Sequence, residues 1–459
     1  MARFAIRSRF DVGASELFAW HGRVGAIERL VPPWERVVVE ESKGTLADAR
    51  VVFCMRGPLG PMRWIAEHRD FVPGRQFRDE QVKGPFAHWV HTHTVEADPA
   101  GGSTLTDDVE YRLPMGALGA AFGGGMVRRR LDTMFAFRHR RTREDLDRHA
   151  RFASLPRRRI AITGSTGFVG SSLGAFLSTG GHEVVPLVRG AGRPGVAWDP
   201  ARGTIDAAGL EGVDALVHLA GENVGDRRWT AARRQALIES RVASTRLLVK
   251  TVLSLSKRPR VLICASAVGI YGDRGDELLD EASEGGRGFL ADLVRAWEAE
   301  ARPAIEAGVR VVHLRFGVVL GARGGALKAM LAPFRLGLGG PMGSGRQWMP
   351  WVSIDDAVGA IHDAVFDERY SGPINVVAPV PVRQTEFAKC LGAVLRRPAF
   401  APMPALAARV LFGERAKELL LASQRIEPRR LSALGFRWQQ GDLEDALRFQ
   451  LGRWPAAPA

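Results

Sequence analysis

The apolar run Ile160-Ala161-Ile162 leads straight into Thr163-Gly164-Ser165-Thr166-Gly167-Phe168-Val169-Gly170, and no other stretch limits the fold of this chain so tightly. A glycine triplet alone is weak evidence. An apolar strand, a Gly-x-x-Gly-x-x-Gly turn and a helix in immediate succession form the phosphate corner of a dinucleotide site. Gly164 allows the tight turn, Gly167 lets the backbone approach a pyrophosphate, and Gly170 permits close helix–strand contact. The helix start adds free N–H groups and a favourable dipole. A plain glycine turn is the competing explanation, and the flanking elements speak against it.

The surrounding pattern agrees with a parallel sheet. Strands are expected at Arg159–Thr163, Glu183–Val188, Ala215–Leu219, Val261–Ser266, Val309–Leu314 and Ile374–Val377. Helical spacing covers Gly167–Ser178 and about Thr230 to Leu255. This alternation predicts an α/β Rossmann-like doubly wound sheet over residues 158–396. From Arg397 a Pro-rich stretch and short helices make a small helical appendage, residues 397–449.

The second strand ends Pro186-Leu187-Val188-Arg189-Gly190, with no acid to accept from a ribose hydroxyl. Arg189 suits the extra phosphate of NADP, which is therefore favoured over NAD; an exposed arginine without that role, or Arg193 in its place, stays open. Ligands lie at the carboxyl ends of parallel strands. The expected cofactor contacts are therefore Gly164, Ser165, Thr166, Gly167, Phe168, Val169, Gly170, Arg189, Leu219, Ala220, Gly221, Ser266, Phe316 and Gly317.

The first 150 residues read differently. Alternating stretches at Phe4–Phe10, Glu35–Glu41, Ala49–Arg56, Met62–Phe71, Gln76–Val82, His88–Glu96 and Ser103–Arg112 predict antiparallel strands. A helix of about twenty residues follows, from near Leu118 to Arg140, with Leu118, Phe122, Val127, Leu131, Met134 and Phe135 on its apolar side. Arg141 to Arg158 is basic and polar and reads as a linker. The segments Glu16-Leu17-Phe18-Ala19-Trp20-His21, Gly84-Pro85-Phe86-Ala87-His88-Trp89 and Val109-Glu110-Tyr111-Arg112-Leu113-Pro114 resemble the START or polyketide-cyclase-like (SRPBCC) superfamily. The resemblance implies an α+β helix-grip domain, residues 1–150, holding an apolar ligand between sheet and helix. His21, His68, His88, His91 and His93 invite a metal reading. No Cys or carboxylate stands at a matching spacing, so ordinary sheet-surface or hydrogen-bonded histidines and no metal are expected.

Thr163–Gly170, Ser266-Ala267-Val268-Gly269-Ile270-Tyr271-Gly272-Asp273-Arg274-Gly275-Asp276, Leu314–Leu320 and Trp351-Val352-Ser353-Ile354-Asp355-Asp356 resemble the extended short-chain dehydrogenase/reductases, nearest to their atypical epimerase-like subgroup. Leu419-Leu420-Leu421-Ala422-Ser423-Gln424-Arg425 is similar to that subgroup's C-terminal region. The resemblance implies a Ser holding the substrate oxygen and a Tyr with a Lys four residues on. Ser266 occupies the Ser position, but Met115, Gly275 and Ile374 stand four residues after the three tyrosines Tyr111, Tyr271 and Tyr370. Tyr271, Glu222 or Glu281 is then left to donate a proton, with Ser266 polarising a carbonyl; Tyr271 could equally pack and Glu222 cap a helix. Arg346 and Gln347 are placed to contact a polar substrate group or to shape a turn. Three readings follow: an NADP-dependent oxidoreductase, a cofactor-binding sensor or scaffold without turnover, and an epimerase or dehydratase working by transient oxidation.

Charge excludes less than it first implies. The net +14 draws +8 from residues 121–159, where twelve arginines meet four acids. No helix-turn-helix, zinc-finger or stacking pattern accompanies them, so nucleic acid is not an expected partner. Three cysteines, no signal-peptide core and no membrane-length apolar run lead us to expect a cytoplasmic protein with a small-molecule substrate, a homodimer being left open.

Overall fold

A computed structural model describes residues 1–57, 60–190 and 192–454. The chain divides into two compact units: residues 1–154 with segment 178–181 and the chain from Phe449, and residues 155–177 with 182–448. Among the described residues no helix is long and apolar enough to cross a membrane.

The first unit is one antiparallel sheet of β1 (Ala2–Phe10), β2 (Val37–Lys43), β3 (Arg50–Gly57), β4 (Gly60–Val72), β5 (Gln76–Lys83), β6 (His88–Ala97) and β7 (Ser103–Arg112), in the order β1-β7-β6-β5-β4-β3-β2. Helices α1 (Ala14–Gly22), α2 (Ala26–Leu30) and α3 (Gly116–Ala150) accompany it. Side chains alternate across the pleat, which puts Trp89, His91, His93 and Val95 of β6 inside with Leu105, Asp107, Val109 and Tyr111 of β7. Phe4, Trp89, Val109, Tyr111, Leu131 and Phe135 form one core between sheet and α3.

Two expectations for α3 need correction. Its first turns do not bury their apolar side: Leu118 is 63% and Phe122 87% exposed. Its end is not a linker, because the helix runs on past Arg140 to Ala150. Asp145 there is buried and takes a two-pronged ion pair from Arg29 of α2, at 2.7 and 2.5 Å. Paired charge can be buried, so polarity alone misplaces the boundary.

The second unit holds β8 (Arg159–Thr163), α4 (Phe168–Thr179), β9 (Glu183–Val188), β10 (Val196–Asp199), β11 (Thr204–Ile205), β12 (Ala215–His218), α5 (Ala231–Ser254) and β13 (Val261–Ala267). Then come β14 (Leu278–Leu279), α6 (Phe289–Ala299), α7 (Arg302–Glu306), β15 (Arg310–Phe316), β16 (Val318–Leu320), β17 (Trp348–Met349), β18 (Trp351–Ser353) and β19 (Gly372–Val376). The main sheet runs β11-β10-β9-β8-β12-β13-β15-β19 and is parallel apart from β11. Ile160, Ala161, Leu216, Val217, Leu262 and Ile263 are fully buried, as strands covered on both faces require. From β8 the chain winds out through β9 to β10, then returns to β12 on the other side of β8. That reversal opens a crevice at the carboxyl ends of β8 and β12.

Candidate functional site

The glycine loop fills one wall of that crevice. Gly164 has φ +66°, and a side chain there would meet the backbone of Leu219 and Ala220 at 3.0 Å. A Cβ on Gly170 would lie 2.1 Å from the Gly164 carbonyl oxygen, so the turn tolerates no substituent. Ser165 is half-buried, while Thr166 and Gly167 are exposed at the start of α4. Phe168 turns the other way: its ring lies against Gly321, Gly324 and Gly325 and packs there.

Thr163, the last residue of β8, ties the two sides of the crevice together. Its hydroxyl accepts the N–H groups of Leu219 and Ala220 at 3.0 and 3.1 Å. Its own proton is then directed to Nδ1 of His218, 2.8 Å away at the end of β12. Nε2 of His218 donates to Ser244 of α5 at 3.2 Å, and Ser244 donates on to Ser240. Burial pushes the His218 pKa down to about 3, so the ring stays neutral and Nδ1 stays an acceptor. Thr163 opens the glycine motif, but no motif or spacing in the sequence singles out His218 or Ser244 as its partners, since only the β8–β12 pairing brings Thr163 and His218 together.

Arg189 is exposed beyond the end of β9 and makes no hydrogen bond or ion pair among the described residues; Glu222 lies within its electrostatic reach. Leu219, Ala220 and Gly221 follow β12 at the crevice, with Gly221 beside the guanidinium of Arg241. Phe316 ends β15, and the Gly317 amide donates to the Val376 carbonyl.

The expected catalytic side chains are differently employed. Ser266 is buried and its hydroxyl donates to Glu298 Oε1 at 2.6 Å. Glu298 in turn receives both prongs of Arg315 at 2.9 Å. Burial raises the Glu298 carboxyl, but Arg315 outweighs it and holds the group below its ordinary range. Tyr271 is fully buried; its hydroxyl donates to Asn375 at 2.8 Å and accepts from Arg315 at 3.0 Å, and burial raises its pKa. Both sides of this phenol are thus engaged inside the protein. Glu222 caps no helix. It pairs with Arg233 at 2.8 Å, which lowers its pKa and keeps it ionised rather than ready to donate. Glu281 accepts from the amides of Asn375 and Arg430. On α6, Leu290 faces Gly269 and Val294 packs with Val268, Ile270 and Tyr271, so this helix sets apolar groups against the loop after β13.

Gln347 is engaged within its own turn. Its buried amide donates to the carbonyls of Met342 and Leu420, at 2.9 and 3.1 Å, and closes the turn. Arg346 is exposed beside it. The C-terminal motif pins the loop after β13. Gln424 donates to the carbonyls of Val268 and Gly272, and Ser423 to that of Gly275. In the first unit, His91 and His93 are buried rather than on the sheet surface, and their carboxylate neighbours come from adjacent strands. Asp79 of β5 pairs across from His91, and Asp107 of β7 across from His93.

Comparison with known proteins agrees with this architecture. The NAD dependent epimerase/dehydratase family matches residues 160–376, a domain of unknown function (DUF1731) matches 403–450, and the polyketide cyclase/dehydrase and lipid transport family matches 11–137. An epimerase family protein of Mycobacterium bovis is 41% identical over 296 residues, 64% of this chain and 98% of its own length. The structure of the human epimerase family protein SDR39U1 with NADPH is 38% identical, with TM-score 0.61, over 64% of this chain and 100% of that one. A structure described as the nucleoside-diphosphate sugar epimerase from Corynebacterium glutamicum is 35% identical with TM-score 0.82, covering 99% of this chain and 91% of that one. The crevice at the strand reversal, the glycine loop and these relatives together make the chain a member of the NAD dependent epimerase/dehydratase family, carrying a polyketide-cyclase-like domain ahead of its Rossmann-like sheet.

Proposed function

We propose that the chain is an NADP(H)-dependent oxidoreductase acting on a carbonyl or alcohol group of a small molecule. The observation that carries this reading is Arg189, an exposed guanidinium beyond β9 with no hydrogen-bond or ion-pair partner among the described residues and no acid at the strand end to favour NAD. The human relative was crystallised with NADPH, which supports the same choice. The loop Gly164–Gly170 fits a pyrophosphate because it leaves no room for side chains at its tightest points. NADPH, when bound, supplies a hydride. In our reading the backbone of Ser165–Gly167 holds the pyrophosphate, Arg189 pairs with the ribose phosphate, and Thr163 keeps the crevice open at fixed width. Residues 1–150, 158–396 and 397–449 serve as three modules, the first taking an apolar ligand, and the three free cysteines fit a cytoplasmic setting.

Fluorescence titration with NADPH and NADH tests the cofactor assignment. Arg189→Ala is expected to weaken NADPH binding about 10–100-fold, the size of a lost charge-assisted contact, and to leave NADH binding unchanged. Equal weakening of both would overturn it. The engagement of Ser266, Tyr271 and Glu222 in other bonds favours a second reading, cofactor binding without turnover. Tight NADPH binding with no NADPH consumption across a panel of aldehydes and ketones decides for that reading.

A further inference from the structure

The first unit holds one buried and one half-buried carboxylate, Asp107 and Asp79, that no lysine or arginine pairs with among the described residues. Asp79 and Asp107 meet only imidazoles in ion-pair range. Their arrangement is asymmetric. Asp107 receives the far edges of three rings: His91 Nε2 at 3.1 Å, His93 Nδ1 at 2.6 Å and His139 Nε2 of α3 at 2.7 Å. The opposite nitrogens of the two β6 histidines converge on Asp79 Oδ1, His91 Nδ1 at 3.0 Å and His93 Nε2 at 3.4 Å.

Neutral imidazole carries one N–H and one lone pair. With the N–H groups of His91 and His93 turned to Asp107, two lone pairs face a carboxylate oxygen. Three acceptors pointed at one another repel, so positive charge belongs between them: either a proton on His91, whose pKa burial lowers but Asp79 and Asp107 raise to about 9, or a metal ion in its place. His93 is nine-tenths buried, and its Nδ1 lies 2.6 Å from Asp107, which leaves Nε2 as the nitrogen turned to Asp79. Bonds of about 2.0–2.2 Å to imidazole nitrogen and carboxylate oxygen put neighbouring ligand atoms roughly 3.0–3.5 Å apart. His91 Nδ1 and His93 Nε2 lie at 3.0 and 3.4 Å from Asp79 Oδ1, and the three residues each offer a ligand atom within 4.8 Å of the others.

We propose that Asp79, His91 and His93 bind a divalent transition-metal ion between the sheet and α3, with Asp107 orienting both histidines from behind. Two imidazoles and one carboxylate suit zinc, cobalt or ferrous iron better than magnesium or calcium, which prefer all-oxygen sets. A carboxylate holding the far N–H of a ligating histidine is the usual support of such a site. Phe77, stacked on His93 at 4.1 Å, and Phe135, edge-on to His91 at 5.1 Å, wall the rings in. Three protein ligands leave coordination positions open, so the metal would face whatever ligand enters this unit.

The test uses the full-length protein stripped with a chelator and titrated with Co²⁺. Uptake of one equivalent with a visible ligand-field band, displaced by Zn²⁺, is the expected result. Asp79→Asn and His91→Gln, which conserve shape, should abolish the band, and Asp107→Asn should weaken Co²⁺ binding roughly 10–100-fold. NADPH binding and far-UV circular dichroism, unchanged in the same variants, show that the protein is folded. X-ray absorption of the wild-type cobalt form should report two imidazoles without need of any variant. No uptake, or uptake unaffected by Asp79→Asn and His91→Gln, overturns the proposal and leaves a proton-sharing hydrogen-bond cluster.

Discussion

His218 shows how a single neutral ring can hold two strands in register. Its Nδ1 accepts from Thr163 only while unprotonated, and burial keeps its pKa near 3 against 6.5 for an unrestrained histidine. Between those values the unfolded chain binds a proton that the native chain refuses, so unfolding becomes easier as pH falls. The slope from this one group is up to about 1.4 kcal/mol per pH unit. We expect His218→Gln to flatten the dependence of stability on pH between about pH 6 and pH 4 by close to one proton. Denaturant titrations at several pH values measure it, and slopes equal to wild type would contradict the role. Residues of this kind are not legible in the sequence. Gly164 and Gly170 announce themselves by spacing, whereas Thr163 and His218 sit 55 positions apart and acquire meaning only through strand pairing. The same holds for Asp79 and Asp107, each on a strand next to the histidines it meets.

At the scale of elements, the Ser266–Glu298–Arg315 bonds join β13, α6 and β15 beneath the site. Both charged groups are largely buried, with side-chain exposures of 9% and 15%. Breaking such a pair from one side strands the other charge, at about 3–5 kcal/mol, while replacing both by apolar groups is often neutral. Glu298→Ala should therefore lose about that much stability in chemical denaturation, and Arg315→Met added to it should recover most of the loss. A double variant no more stable than Glu298→Ala would show that the pair is not the tie. Elements are legible in proportion to their apolar periodicity. Arg159–Thr163 and Glu183–Val188 are found at the expected positions, because strands buried on both faces are written as apolar runs. Strand β10 escapes that pattern: it has four residues, follows a glycine-rich stretch and buries only Val196 and Trp198 of them. The end of α3 is hidden for the opposite reason, since charges that find partners across space look like linker in one dimension.

For the whole molecule, the two-domain division is visible in the change from period-two strands to alternating strands and helices near Arg158, and the relatives give that division a physical consequence. The mycobacterial and human proteins are matched over 98% and 100% of their lengths by 64% of this chain, whereas the corynebacterial structure is matched by 99% of it. The buried apolar residues of the second unit run from Ile160 to Leu447. A fragment running from Leu155 to Trp454 should fold and bind NADPH as the full chain does. Ligand that binds only the native state stabilises it by RT ln(1 + [L]/Kd), about 2.7 kcal/mol at a hundredfold excess over Kd. Equal NADPH-induced rises in melting temperature for fragment and full chain would mean that residues 1–154 contribute nothing to cofactor affinity. A fragment that folds but binds NADPH more weakly would contradict the placing of the whole cofactor site in the second unit. The cofactor-only titration separates these outcomes without any knowledge of the substrate.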